Sequence, residues 1–270
     1  LFAKIEELCA RQGIGLTVRY LSCTESVRNW QLKLRGTEKA FPVLVQFRNS
    51  RTATSDFIIN HKFVRDCLRP DVVIMFGYNY PTYIFSAFLR RVLRKKTILF
   101  CESTLIDARK SARRMAVKTI LIRFLFSGFA VPGRRSHDYL TSLGVCEKKI
   151  TQAINASPMI ALPRNRQPQA ECLRLLYVGR LSPEKHILEL VQAFNSLSRS
   201  HTLTIVGDGP LREEVKIASE NNPSIRIMGE VASAEISKVY RDHDVLILPS
   251  KSEPWGFVVN EAVNSGLALV

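Results

Sequence analysis

Leu173-Arg174-Leu175-Leu176-Tyr177-Val178-Gly179-Arg180-Leu181 reads as a short apolar strand that ends in a glycine turn. A helical stretch, 187–197, follows. The same step then repeats: strands are predicted at 202–206, 225–228 and 245–248, and helices at 211–219, 234–241 and 257–264. A further strand opens at Leu267. Short strands alternating with helices of this length imply an open parallel sheet with helices on both faces. Such sheets bind ligands beyond the carboxyl ends of their strands. Function is therefore sought in the loops that follow the strands.

Upstream the pattern is looser. Helices are predicted at 1–11, 57–68, 81–93, 111–126 and 135–143, and strands at 15–21, 71–76, 97–101 and 128–131. A turn-rich stretch, 35–50, has a strand-like centre at 43–45. The wholly apolar run 71–76 predicts a parallel strand covered on both faces. Pro158, Pro163 and Pro168 with few apolar anchors mark a linker. The division predicted is a first domain over 1–156, a linker over 157–170 and a second domain over 171–270. The chain starts without methionine, inside a helical pattern, and stops in what reads as the opening of a strand. It reads as a fragment lacking both ends, with an exposed apolar edge near Val270.

Hydrophobic residues make up 46% and charged residues 23%, which fits a globular protein and excludes a disordered one. A net charge of +15 favours polyanions or anionic surfaces as partners. Six scattered cysteines form no CxxC pair, and the histidines do not cluster at zinc spacing, so reduced thiols are expected and no metal site is. No apolar run approaches the ~20 residues of a membrane span.

Four strand-end loops carry the candidate chemistry. The first, 179–185, places Arg180 and Lys185 around a proline turn at a helix entrance. Arg180 suits a bidentate phosphate contact and Lys185 supplies a mobile point charge. Taken alone, two loop cations are ordinary solvated surface. The second, Gly207-Asp208-Gly209-Pro210, permits a tight turn and close ligand approach, yet a lone Gly-x-Gly is also a plain turn before a helix. The third, 229–233, offers Ser233 as a helix cap. The fourth is Glu253-Pro254-Trp255-Gly256-Phe257-Val258-Val259-Asn260-Glu261, with two carboxylates eight positions apart around a helix start. A loop acid and a helical acid can grip a hydroxyl-rich ligand. The helix N-terminus between them, at Gly256 and Phe257, attracts phosphate.

Together these residues carry a family resemblance. The half from Leu173 to Val270 resembles the nucleotide-sugar domain of the retaining GT-B glycosyltransferases of group 1 (glycosyltransferase family 4). Glu253 and Glu261 stand at the ends of that family's E-x7-E motif. Tyr177-Val178-Gly179-Arg180-Leu181 with Glu184-Lys185 resembles its Gly-Arg-Leu…Glu-Lys-Gly signature, and Val206-Gly207-Asp208-Gly209-Pro210 its Val-Gly-x-Gly-Pro turn. In the more divergent first half, Pro70-Asp71-Val72-Val73 resembles the family's PDVV strand, and Val131-Pro132-Gly133 and Leu143-Gly144-Val145 the segment before its linker. There are departures. His186 replaces the glycine usual after the lysine, and the glycine-rich loop of the family's start is absent. Cys101-Glu102-Ser103-Thr104 stands where the family often presents a histidine, so Glu102 is the candidate to fill that space beside the sugar.

The resemblance implies an α/β GT-B fold, two Rossmann-like doubly wound parallel-sheet domains facing a cleft, the second truncated. It implies a retaining, metal-independent glycosyltransferase acting on a nucleotide-sugar donor, a UDP- or GDP-sugar, with no further cofactor. Arg180 and Lys185 would neutralise the departing diphosphate. Glu253 would hold sugar hydroxyls and Glu261 the ribose. Gly179, Gly207 and the amides at Gly256 and Phe257 would lie against the donor. The acceptor implied is lipid-linked or a polysaccharide, in cell-envelope glycan synthesis.

Between Leu89 and Phe126 the cations Arg90, Arg91, Arg94, Lys95, Lys96, Arg109, Lys110, Arg113, Arg114, Lys118 and Arg123 are opposed only by Glu102 and Asp107. With Leu121, Ile122, Phe124, Leu125 and Phe126 beside them, this Arg90–Arg123 region predicts docking on an anionic membrane. The location expected is the inner face of the cytoplasmic membrane. Without aromatic interleaving among the cations, no nucleic-acid partner is expected. Two alternatives stay open: a nucleotide-sugar epimerase of the same fold, and a non-catalytic membrane-associated partner subunit.

Overall fold

The computed structural model describes residues 2–21, 38–40, 45–48, 56–78, 80–105, 112–157, 159, 161–162, 171–197, 200–232, 235–251, 253 and 255–270. The chain divides into two compact units, Leu1–Ile154 and Asn155–Val270. Most of the predicted linker, with Pro158, Pro163 and Pro168, lies outside the described residues, as do Val43, Leu44, Arg109, Lys110 and Ser233.

The first unit opens with α1 (Phe2–Arg11) and the short β1 (Arg19–Tyr20), which pairs in parallel with β2 (Lys39–Ala40). Next, β3 (Val45–Arg48) pairs antiparallel with β4 (Asp56–Ile59). The helix predicted at 57–68 is thus corrected: Phe57, Ile58 and Ile59 belong to β4, and α2 is only His61–Cys67. Asn60 divides the two. Its side chain accepts from Phe63 N at 3.2 Å, its amide donates to Leu21 O, and its backbone N–H donates to Thr82 Oγ1. An asparagine cap starts a helix at that point, and β-branched residues before it favour a strand.

The main sheet of this unit follows: β5 (Val72–Phe76), α3 (Pro81–Val92), β6 (Lys96–Phe100), α4 (Ala112–Leu125), β7 (Gly128–Val131), α5 (Arg134–Ser142) and β8 (Ile150–Gln152). Its order is β5-β6-β7-β8, all parallel. Leu99, Ile122, Tyr139 and Leu140 form the buried centre. β5 departs from expectation. Val73 and Met75 turn to the core, whereas Val72, Ile74 and Phe76 are exposed, so among the described residues the strand is covered on one face. β8 carries one apolar residue and had no signal in the sequence.

Arg90 is a second correction. It is fully buried, not a surface cation. All five N–H groups are used: Nε donates to Thr97 Oγ1, Nη1 to the carbonyls of Cys67 and Pro70, and Nη2 to those of Asp71 and Lys96. One guanidinium thereby ties α3 to the end of α2 and the start of two strands.

The second unit contains β9 (Arg174–Val178), α6 (Ile187–Asn195), β10 (Thr202–Val206), α7 (Arg212–Ser219), β11 (Ile225–Gly229), α8 (Ile236–Arg241), β12 (Val245–Leu246), α9 (Phe257–Asn264) and β13 (Ala268–Leu269). The sheet order is β11-β10-β9-β12-β13, all parallel. Period-two alternation fills both faces. Leu175, Tyr177, Leu203 and Ile205 pack with Ile187, Val191 and Val215, while Leu176, Val206 and Leu246 pack with Tyr240 and Ala262. Asp244, itself buried, accepts from Arg174 N at 2.9 Å and from its guanidinium, fixing β12 beside β9. After β11 the chain crosses to the other side of β9. That reversal opens a crevice between β9 and β12, the usual ligand position in doubly wound sheets. At the outer strand Leu269 and Val270 are exposed.

Candidate functional site

The loop after β9 is shaped from beneath by Tyr177. Its buried phenol donates to Arg180 O at 2.9 Å. The Arg180 side chain is exposed and, among the described residues, makes no hydrogen bond or ion pair. The loop after β10 locks onto the same turn. Gly207 has φ +134°, and a Cβ there would sit 1.9 Å from Gly179 O. Leu181 N donates to Asp208 O at 3.0 Å, and Leu211 N to Leu181 O at 2.9 Å. Gly179 and Gly207 are thus packed backbone to backbone.

The loops after β9 and β12 meet at the switch point. Lys185 Nζ donates to Glu253 Oε1, and Ser250 Oγ donates to the same oxygen at 2.8 Å. Both partners are mostly buried, with side chains 18% and 22% exposed. Lys251 N also donates to Glu184 O at 3.2 Å. Burial pushes the Glu184 carboxyl up, but the Ser182 hydroxyl, its own backbone amide and the Arg180 and Lys185 charges outweigh this and hold it below the usual range. Between this turn and α6 stands His186, at φ 50° and ψ 37°. The family's glycine at this place has a conformational reason: the left-handed region suits a residue without Cβ.

Gly256, at φ 77°, lets the chain turn from Glu253 into α9. The first amides of a helix have no intrahelical acceptor, so those of Phe257 and Val258 face the incoming loop as anion donors, while Val259 N donates to Gly256 O at 2.9 Å. Glu261 lies one turn into α9. Its Oε1 accepts from Ser157 Oγ at 2.7 Å and its Oε2 from Tyr240 Oη at 2.9 Å. Glu102 lies in the first unit, two residues past β6, with its side chain exposed.

The structure therefore joins Lys185 directly to Glu253 and holds Arg180 and Glu261 on adjoining segments through other partners. Sequence reasoning missed the supporting residues Tyr177, Ser250, Tyr240 and Ser157. Tyr177 opens the stretch that carries the Gly-Arg-Leu motif but reads there as a strand residue, and the other three lie outside the motifs.

The sequence profile of "Glycosyl transferases group 1" matches residues 172–270. That segment resembles a group 1 glycosyltransferase domain. The chain is 30% identical over 131 residues to sulfoquinovosyl transferase SQD2 of Arabidopsis thaliana, covering 48% of this chain and 25% of that protein. It thus spans about a quarter of that relative's length. Sucrose-phosphate synthase from Thermosynechococcus elongatus superposes with TM-score 0.68 at 15% identity, covering 98% of this chain and 73% of the other. Anabaena HepE in complex with UDP and glucose does so with TM-score 0.60 at 18% identity, covering 77% and 61%. At such identities the likeness shows the fold, which is GT-B, with parallel α/β units of the Rossmann type. The switch-point residues Arg180, Lys185, Ser250 and Glu253 fall within the matched segment.

Proposed function

We propose that the protein is a retaining glycosyltransferase that takes a sugar from a UDP- or GDP-sugar and passes it to a lipid-linked or polysaccharide acceptor in cell-envelope synthesis. The observation that carries this reading is the Lys185–Glu253 pair at the switch point, with the exposed Arg180 on the same loop. Without ligand the two charges satisfy one another. A donor diphosphate competes for Lys185 and joins it to Arg180 and the α9 amides, which frees the Glu253 carboxylate to accept from sugar hydroxyls. Negative charge develops on the leaving diphosphate in the transition state. Fixed cations and a helix N-terminus placed there lower the barrier without a divalent ion. Glu261 takes the ribose hydroxyls, and the family resemblance makes Glu102 a further candidate for the sugar.

The reading places the enzyme on the inner face of the cytoplasmic membrane. Its support is a surface of the first unit that mixes cations with apolar side chains. α4 buries Ile122 and Leu125 but exposes Ile120, Leu121 and Phe124. An apolar surface that wraps a helix suits a buried or lipid-facing setting. Arg123 and Lys149 flank a groove of about 430 Å³ lined by Ile120, Phe124 and Phe129. Arg91 caps Phe124 O at 3.1 Å and lies over its ring. Arg90 takes no part, and Lys118 turns to the Tyr78 and Tyr139 rings at 4.8 and 5.0 Å. Among the described residues no helix is long and apolar enough to cross a membrane. The docking proposed is peripheral.

Lys185→Ala and Glu253→Gln are expected to lower transfer by about 10²–10³-fold each with unchanged melting. Wild-type transfer is expected to persist in excess chelator. Wild-type turnover in either variant overturns the roles, and loss of turnover on chelation overturns metal independence.

A further inference from the structure

We propose that Tyr240 and Ser157 are positioning residues that set the Glu261 carboxylate to select a ribose over a 2′-deoxyribose. The inference rests on the donor reading above and goes beyond it by naming what makes Glu261 selective. Three separate stretches converge on this carboxylate: the segment after β8 through Ser157, α8 through Tyr240, and α9 through Glu261 itself.

Each bond has a fixed direction. Met159 N donates to Ser157 Oγ at 3.2 Å, so the single hydroxyl proton of Ser157 is turned to Glu261 Oε1. Tyr240 is fully buried beside Leu176, Leu246 and Ala262, and packing holds its ring in one place. Burial, and then the Glu261 charge, push its phenol above the ordinary range, so it stays a donor. A carboxylate has about four acceptor positions, two on each oxygen. One on each is filled by the protein, and one on each is left. Two acceptors held side by side match two vicinal hydroxyls, as the 2′ and 3′ positions of a ribose present them. An unbraced carboxylate would turn about its last bond and serve one hydroxyl as well as two. A deoxyribose leaves one braced acceptor unpaired, which costs binding.

The test uses the full chain and calorimetry with UDP, GDP and ADP and their 2′-deoxy forms. Wild type is expected to bind one ribonucleotide about tenfold or more tightly than its deoxy form. Tyr240→Phe and Ser157→Ala are expected to shrink that ratio severalfold, while Ser157→Thr, which keeps the hydroxyl, retains it. Thermal melting checks folding, and Ser157→Ala, at a half-buried position, carries the test if Tyr240→Phe does not fold. A wild-type ratio in the folded variants overturns the positioning role and leaves the donor reading standing. Equal wild-type binding of ribose and deoxyribose forms overturns the proposal at Glu261. Absence of wild-type binding to every nucleoside diphosphate overturns the donor reading and this inference with it.

Discussion

Gly207 and His186 show how single positions govern the phosphate turn. Gly207 combines a positive φ with a backbone contact that leaves no room for a methyl group. Gly207→Ala is therefore expected to force the β9 and β10 loops apart and to lower stability by on the order of 3 kcal/mol, measured by denaturant unfolding. His186 presents the opposite case, a bulky residue in a left-handed conformation. Its Nδ1 lies 3.3 Å from Glu189 Oε1, a weak return for the strain. His186→Gly is expected to leave stability unchanged or raise it by about 1 kcal/mol, with His186→Val lowering it. A large loss in His186→Gly would mean the imidazole contributes more than its backbone costs. The motif glycines were legible in the sequence as a turn. That one of them serves the other's carbonyl was not, because the contact joins residues 28 positions apart across two strands.

At the scale of elements, Arg90 decides how the first sheet is assembled. The sequence places it among eleven cations and offers no reason to single it out. Its five carbonyl and hydroxyl acceptors come from the ends of elements that only meet after folding. Arg90→Ala is expected to leave those acceptors buried and unpaired, at a cost of on the order of 3 kcal/mol or more. Arg91→Ala, on the exposed side of the same helix, is expected to cost less than about 1 kcal/mol. Equal melting temperatures for the two variants would refute the structural role of Arg90. The short β4 and the cap at Asn60 teach a related lesson. The apolar residues Phe57, Ile58, Ile59, Phe63 and Val64 satisfy helical spacing, yet an asparagine with three separate partners sets the boundary among them.

For the whole molecule, the charge of +15 acquires meaning only from where its cations stand. Some are spent inside the fold, as Arg90 is, and Lys118 is turned onto aromatic rings. Those left on the α3 and α4 surface, Arg91, Arg94 and Arg123, stand beside exposed Phe88, Ile120 and Phe124. Sedimentation with vesicles should show binding to membranes containing anionic lipid, weakened by salt because exposed charges are screened over about 10 Å at 0.1 M. Arg91→Glu with Arg123→Glu should reduce it by about tenfold or more. Equal binding to neutral vesicles would sink the electrostatic reading.

Local order along the chain was readable before folding. The strand and helix alternation after residue 173, the apolar runs that become β9 and β10, and the two acids around the start of α9 all follow from periodicity and turn chemistry acting over a few residues. The partners of those acids do not. Lys185 and Glu253 are 68 positions apart, and Ser157 and Glu261 are 104 apart. The first pair exists because the chain crosses over β9 after β11 and brings the loops of β9 and β12 to one crevice, and the second because the segment after β8 packs against α9. Spacing along a sequence carries short-range preference. Which distant donor meets which acceptor depends on strand order, and strand order is a property of the packed sheet.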